Sequence, residues 1–128
     1  MVRRQWFRFA ALVSLLPLMA LARLAHATPS AEEHKLITAL IDRVQKMSTM
    51  KFMRNGDEHS SIDAAEHMEA KYKYFKDEIV TADDFIDRCA SRSEVTGKPY
   101  MVKLANGKTH DANAFLKQEL RALRRPGR

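Results

Sequence analysis

Apolar positions recur along this chain in three rhythms, and each rhythm predicts a different kind of element. Leu36, Ile37, Leu40, Ile41, Val44 and Met47 follow at spacings of one, three and four, with Asp42, Arg43 and Lys46 between them. That period places the apolar set on one face of an α-helix. Ser30, three residues ahead of Glu33, supplies its start as a capping box, in which hydroxyl and carboxyl satisfy two free amides reciprocally. The same helical rhythm returns in Ala64, Ala65, Met68, Tyr72 and Phe75 behind Ser60 and Asp63. It returns again in Phe85, Ile86, Cys89 and Ala90 behind Thr81 and Asp84. A last helix, capped by Asp111 and stopped by Pro126-Gly127, has Ala114, Phe115, Leu116, Leu120 and Leu123 as its inner face.

Between these helices the period shortens. Residues 50–54 and 57–59 flank Asn55-Gly56, a pair that favours the tight turn of a hairpin because both central positions need positive φ. Residues 100–104 alternate as a strand, and Asn106-Gly107 turns the chain into a brief return strand near Thr109. Residues 91–99 are polar, end in Gly97-Lys98-Pro99 and form a loop. The expected fold is α+β and mostly α, with about four helices and two short β-hairpins in a small antiparallel sheet.

The third rhythm is unbroken apolarity. Residues 9–22 are apolar except for Ser14 and Pro17, follow Arg3, Arg4 and Arg8, and lead to Ala25-His26-Ala27. Small residues at both positions before a cut, after a cationic start, are the pattern of a cleavable signal peptide. The run of 14 residues falls short of the roughly 20 needed to span a bilayer, so a stable membrane anchor is not expected. The chain divides into a signal peptide, 1–27, and a single small domain, 28–128, exported to the periplasm or secreted. Arg3-Arg4-Gln5-Trp6-Phe7 also fits a twin-arginine leader, but an ordinary general secretory leader accounts for the same arginines and is preferred.

Cleavage changes the charge picture. The whole chain carries +6, yet four of its 22 cationic residues lie in the leader and all 16 acids lie outside it, which leaves residues 28–128 at +2. The net charge therefore does not point to nucleic acid, and the basic tail of Arg121, Arg124, Arg125 and Arg128 has the form of a solvated helix end. Cys89 is the sole cysteine, which excludes an internal disulfide and fits an apolar filler four residues after Phe85.

The order Phe52-x-Arg54-Asn55-Gly56, Ser60, Ala64, His67, Lys71, Phe85-Ile86, Ser91-x-Ser93 and Gly97-Lys98-Pro99-Tyr100 resembles the YfeK-like family. Its members are small exported bacterial proteins built around a domain of unknown function. The resemblance covers nearly all of residues 28–128 and implies the same boundaries and export, but no activity. It also implies a cysteine in many relatives at the place of Met50 and another near Leu104. If those cysteines pair in relatives, Met50 and Leu104 face each other here and the two hairpins share one sheet.

The polar residues of the matching segments, Arg54, Asn55, His67, Lys71, Ser91, Ser93, Lys98 and Tyr100, form the candidate ligand site. His67 and Lys71 share a helix face, and a loop folded back on them would create a cationic, hydroxyl-rich pocket suited to a carboxylate or other anion. The bland alternative is a structural network, in which Asn55 serves the turn, His67 bonds hairpin backbone, Ser91 and Ser93 close the third helix and Tyr100 joins the core. No catalytic residue is assigned, since no G-x-S-x-G elbow surrounds either serine. No metal site is assigned either, because His59 and His67 lie eight apart without an H-E-x-x-H or paired-cysteine spacing, and no cofactor motif is present.

These features favour a non-enzymatic binding or interaction module. Its partner would be an anionic envelope ligand or a periplasmic protein, the latter including an immunity-type inhibitor of a toxin. The rival is a small hydrolase of envelope polymers using His67 with Ser91 or Ser93, which requires the imidazole within hydrogen-bond reach of a serine.

Overall fold

The computed structural model describes residues 28–125. The expected signal peptide, 1–27, and the Pro126-Gly127 helix stop lie outside the described residues. Four helices form from the four periodic segments: α1 (Ala31–Gln45), α2 (Ser61–Phe75), α3 (Ala82–Cys89) and α4 (Ala112–Arg124). Their starts follow the sequence signals, because Ser30, Ser60, Thr81 and Asp111 each accept a backbone N–H three residues on. Thr81 and Asp84 complete a reciprocal capping box. Ser30 and Glu33 do not. The Glu33 carboxylate instead accepts from Ala82 N at 2.7 Å and from both terminal nitrogens of Arg124, at 3.0 and 3.1 Å. One acid thus ties the first turn of α1 to the start of α3 and the end of α4, at the expense of the local cap.

The strands are β1 (Lys51–Arg54), β2 (Asp57–His59), β3 (Met101–Lys103) and β4 (Thr109–Asp111), in one antiparallel sheet of order β2-β1-β3-β4. Lys51 pairs with Lys103, so extending the register by one residue sets Met50 opposite Leu104. Both are partly buried against the core. The hairpins therefore share a sheet, in the relation the resemblance implied. The first turn has positive φ at Asn55 (52°) and Gly56 (88°), as the Asn-Gly pair requires. The second is a three-residue loop: Gly107 alone is positive, its N–H reaches Leu104 O, and Leu104 N reaches Lys108 O. A type I turn closed by a glycine bulge produces that pattern.

Residues opposite one another in an antiparallel sheet share a face. Phe52 and Val102 project together into the helices and are buried with Ile37, Leu40, Phe85, Ile86, Leu116 and Leu120. The other face is solvated, and Lys103 Nζ crosses β1 there to meet Glu58 Oε2 at 2.9 Å. The apolar faces expected for α1, α2 and α3 are the buried or partly buried ones. On α4, Leu116 and Leu120 are buried and Phe115 and Leu123 partly buried against the core, with Ala114 the one departure. The buried row of α4 is Ala112, Leu116 and Leu120, and Ala114 is exposed. Ile79, between α2 and α3, is fully buried although no periodic stripe contains it.

Candidate functional site

Helix α2 packs chiefly against α1, and less extensively against α3 and β1, with its apolar row buried and Lys71 on that buried side. The geometry follows from the sequence, since Lys71 is three residues beyond Met68 and one before Tyr72. The lysine stem is held among apolar neighbours and only 8% of the residue is exposed. Its Nζ forms no hydrogen bond. It stands 3.4 Å from Glu94 Oε2 and 5.5 Å from the centre of the Tyr100 ring. Attraction to the carboxylate and to the π face partly offsets the loss of water, but three donor hydrogens remain unused.

Glu94 does not close on Lys71 because Arg88 holds it. Arg88 Nη1 donates to both Glu94 oxygens at 3.1 and 3.0 Å, while Arg88 Nε meets Glu78 and the guanidinium stacks 3.8 Å from the Phe75 ring centre. Those bonds from Arg88, with the nearby Lys71 ammonium adding to them against a burial effect, keep the Glu94 carboxyl below the usual carboxylate range.

Around Lys71 opens a cleft of about 450 Å³ lined by Arg54, Asn55, His67, Ser93 and Tyr100, with Tyr74 and Val95 at its sides. The loop that forms its wall is shaped by Ser93, whose Oγ accepts from Val95 N (3.1 Å) and Thr96 N (3.2 Å). Asn55 clasps that loop to the hairpin, accepting from Thr96 Oγ1 at 2.7 Å. Gly97, at φ 75°, turns the chain back toward Tyr100. The structure brings six of the eight predicted residues to one cleft.

Ser91 and Lys98 are the exceptions. Ser91 is buried, donates to Ile86 O at 2.6 Å and accepts from Asn113 Nδ2 at 2.8 Å, closing α3 against α4. Lys98 is exposed, and its carbonyl accepts from Ser93 N within the loop. Glu94, Tyr74 and Val95 line the cleft without having been singled out by sequence. The first is an acid in a polar loop, and the others lie off any buried stripe.

His67 faces the cleft on one side and, on the other, a small pocket of about 20 Å³ shared with Phe52, Met68 and Cys89. Its Nε2 lies 3.4 Å from the Tyr100 hydroxyl, rather than on hairpin backbone. Burial first, then the positive charges of Arg54, Lys71 and His59, lower its pKa from 6.5 to about 4. The imidazole is neutral at physiological pH. Arg54 Nη2 approaches His59 Nδ1 at 3.4 Å, which leaves the rest of its fork open.

Neither candidate serine hydrogen-bonds His67 among the described residues: Ser91 is engaged with Ile86 and Asn113, and Ser93 with its own loop and Asn55. The geometry supplies no serine–histidine pair for the hydrolase reading. Among the described residues no three His, Cys, Asp or Glu side chains gather as a potential metal site. Cys89 is fully buried, and burial pushes its thiol up to about 11, as expected of an apolar filler.

Comparison with known proteins gives the chain a family. The uncharacterized protein YfeK of Salmonella typhimurium is 38% identical over 76 residues, a match that takes in 59% of this chain and 63% of the relative's length. No solved structure matches the chain. Residues 31–124, which contain all four helices, the whole sheet and the cleft, match the sequence profile of a family of unknown function, DUF5329. The chain belongs to that family, in keeping with the YfeK-like order of its motifs.

Proposed function

We propose that this protein is an exported, non-enzymatic binding module whose cleft between α2 and the loop of residues 93–97 takes an anionic group. The observation that carries the reading is Lys71: an ammonium nine-tenths buried, without a hydrogen bond, at the wall of a cleft that also presents Arg54. Retaining a desolvated cation opposes folding, so its presence is best accounted for by an incoming negative charge. A cationic cleft also favours a small anionic ligand over the immunity-type alternative, which calls for a large acidic or apolar patch. The export part rests on residues 1–27.

Two measurements test the reading. Isotope-labelled protein, purified from host cells expressing the full chain, is titrated with acetate and with inorganic phosphate while amide resonances are followed. Saturable shifts centred on Arg54, Lys71 and Ser93, abolished in Lys71→Met, are expected; no saturable shift with either anion refutes the binding site. Intact-mass analysis of the native protein should find a chain beginning at Thr28. A Met1-bearing chain confined to the cytosol refutes export.

A further inference from the structure

The cleft already holds a carboxylate, and that carboxylate is badly placed. Glu94 Oε2 lies 3.4 Å from Lys71 Nζ, beyond the 2.7–2.9 Å of a charge-assisted hydrogen bond, because Arg88 takes both Glu94 oxygens. Lys71 Nζ is closed off from solvent, so a carboxylate free of the loop and of Arg88 reaches it fully only where Glu94 moves aside. Glu94 keeps Arg88 when it yields. The exchange therefore leaves no acid unpaired.

A second observation concerns the cleft walls. Tyr74 is 80% exposed and Val95 91% exposed, and both border this same cleft. Single exposed apolar residues are ordinary, but two that line the cleft of an under-satisfied cation offer apolar contact beside a charge. Tyr74 follows Lys71 by three residues on α2, so their Cβ atoms are neighbours about 5–6 Å apart. A ligand that meets both carries a carboxylate and an apolar group a few bonds apart. The last residue of a peptide does so, because its carboxylate and side chain share one Cα. An internal Glu places its carboxylate away from its neighbours' side chains.

Building on the anion-binding reading above, we propose that the cleft captures the C-terminal residue of a peptide, an apolar one, whose carboxylate displaces Glu94 from Lys71 while its side chain lies against Tyr74 and Val95. Glu94 is then a built-in competitor that sets the affinity. Arg54 offers its remaining donors to the same carboxylate or to the last peptide carbonyl.

The test uses fluorescence anisotropy of N-terminally dansylated Ala-Ala-Leu as free acid, the same peptide as C-terminal amide, and Ala-Ala-Ser as free acid, with phosphate as competitor. The free acid of Ala-Ala-Leu should bind about tenfold or more tightly than either other peptide, the gap corresponding to ~1.4 kcal/mol. Glu94→Gln, at an exposed position, should tighten it about threefold or more by removing the competing charge. Tyr74→Ser combined with Val95→Ser, also at exposed positions, should weaken it about tenfold. Equal binding of acid and amide, weaker binding to Glu94→Gln, or indifference to the Tyr74 and Val95 changes overturns the proposal. If acetate or phosphate saturates the site and peptides bind no better, the peptide inference falls and the anion site stands. If no anion binds, both fall.

Discussion

Replacing Lys71 by Met should make this protein more stable and less able to bind. The substitution keeps an unbranched stem of similar length and deletes only the ammonium. On the debit side for lysine is desolvation, several kcal/mol for an ion largely removed from water. Against it stand the Tyr100 ring, 5.5 Å from Nζ and worth about 1 kcal/mol, and Glu94 at 3.4 Å. The Glu94 side chain is 43% exposed and shared with Arg88, so its pull on Lys71 is discounted to roughly 1 kcal/mol or less. The balance favours methionine by about 1–2 kcal/mol, within the range seen when buried ions give way to apolar groups. For a domain of this size that raises Tm by about 4–15 °C. Urea unfolding followed by far-ultraviolet circular dichroism measures the change, with the m-value expected to stay constant. Simultaneous loss of anion binding would mark a residue kept at a cost to stability. Destabilisation of about 1 kcal/mol or more by Lys71→Met, with the fold retained, would refute the reasoning and make the lysine structural.

Three further outcomes follow from individual contacts. His67 is held neutral to about pH 4 in the folded state but titrates near 6.5 when unfolded, so the unfolded chain binds the extra proton first and the stability due to His67, complete above pH 6.5, drains away as pH falls toward 4. Linkage caps the loss at about 3 kcal/mol, and partial solvent access lowers the expectation to about 1–2 kcal/mol. Denaturant midpoints at pH 7 and pH 4.5 should show a smaller difference in His67→Phe than in the parent, and an equal difference would refute the assignment. Asn55→Ala should cost about 1–3 kcal/mol, from a positive φ that alanine resists and from the lost Thr96 hydrogen bond; Asn55→Gly, which relieves the backbone, should recover part of it in thermal melts. Met50→Cys with Leu104→Cys should oxidise to a cross-link between β1 and β3, read as a loss of two free thiols, and raise stability by about 2–4 kcal/mol. Retention of all three thiols under oxidant, rather than of Cys89 alone, would contradict the extended register.

What could be read from the chain depended on how local the cause was. Helix starts rest on contacts three residues apart, so Ser60, Thr81 and Asp111 were legible as caps. The Asn55-Gly56 turn was legible for the same reason. Glu33 departs from its expected capping role because its partners, Ala82 and Arg124, come from remote segments that replace the local amide. Ala114 reads as inward in the sequence because alanine fits either side of a helix, whereas the larger Phe115, Leu116, Leu120 and Leu123 meet the core as their spacing predicts. Six cleft residues were legible as polar positions in matching segments, yet neither the burial of the Lys71 ammonium nor the role of Glu94 was. Spacing from Met68 and Tyr72 sets Lys71 on the buried side but does not decide whether its ammonium reaches water, and the Arg88–Glu94 clamp exists only after α3 and the loop have folded together.

The clasp of Arg124 on Glu33 brings the end of α4 to the beginning of α1, so the two ends of the folded unit emerge beside each other. Topologically the molecule is close to a ring. A short Gly/Ser bridge between those ends, with fresh termini opened at the exposed Asn106-Gly107 turn, would give a circular permutant that retains every helix and leaves both walls of the cleft covalently intact.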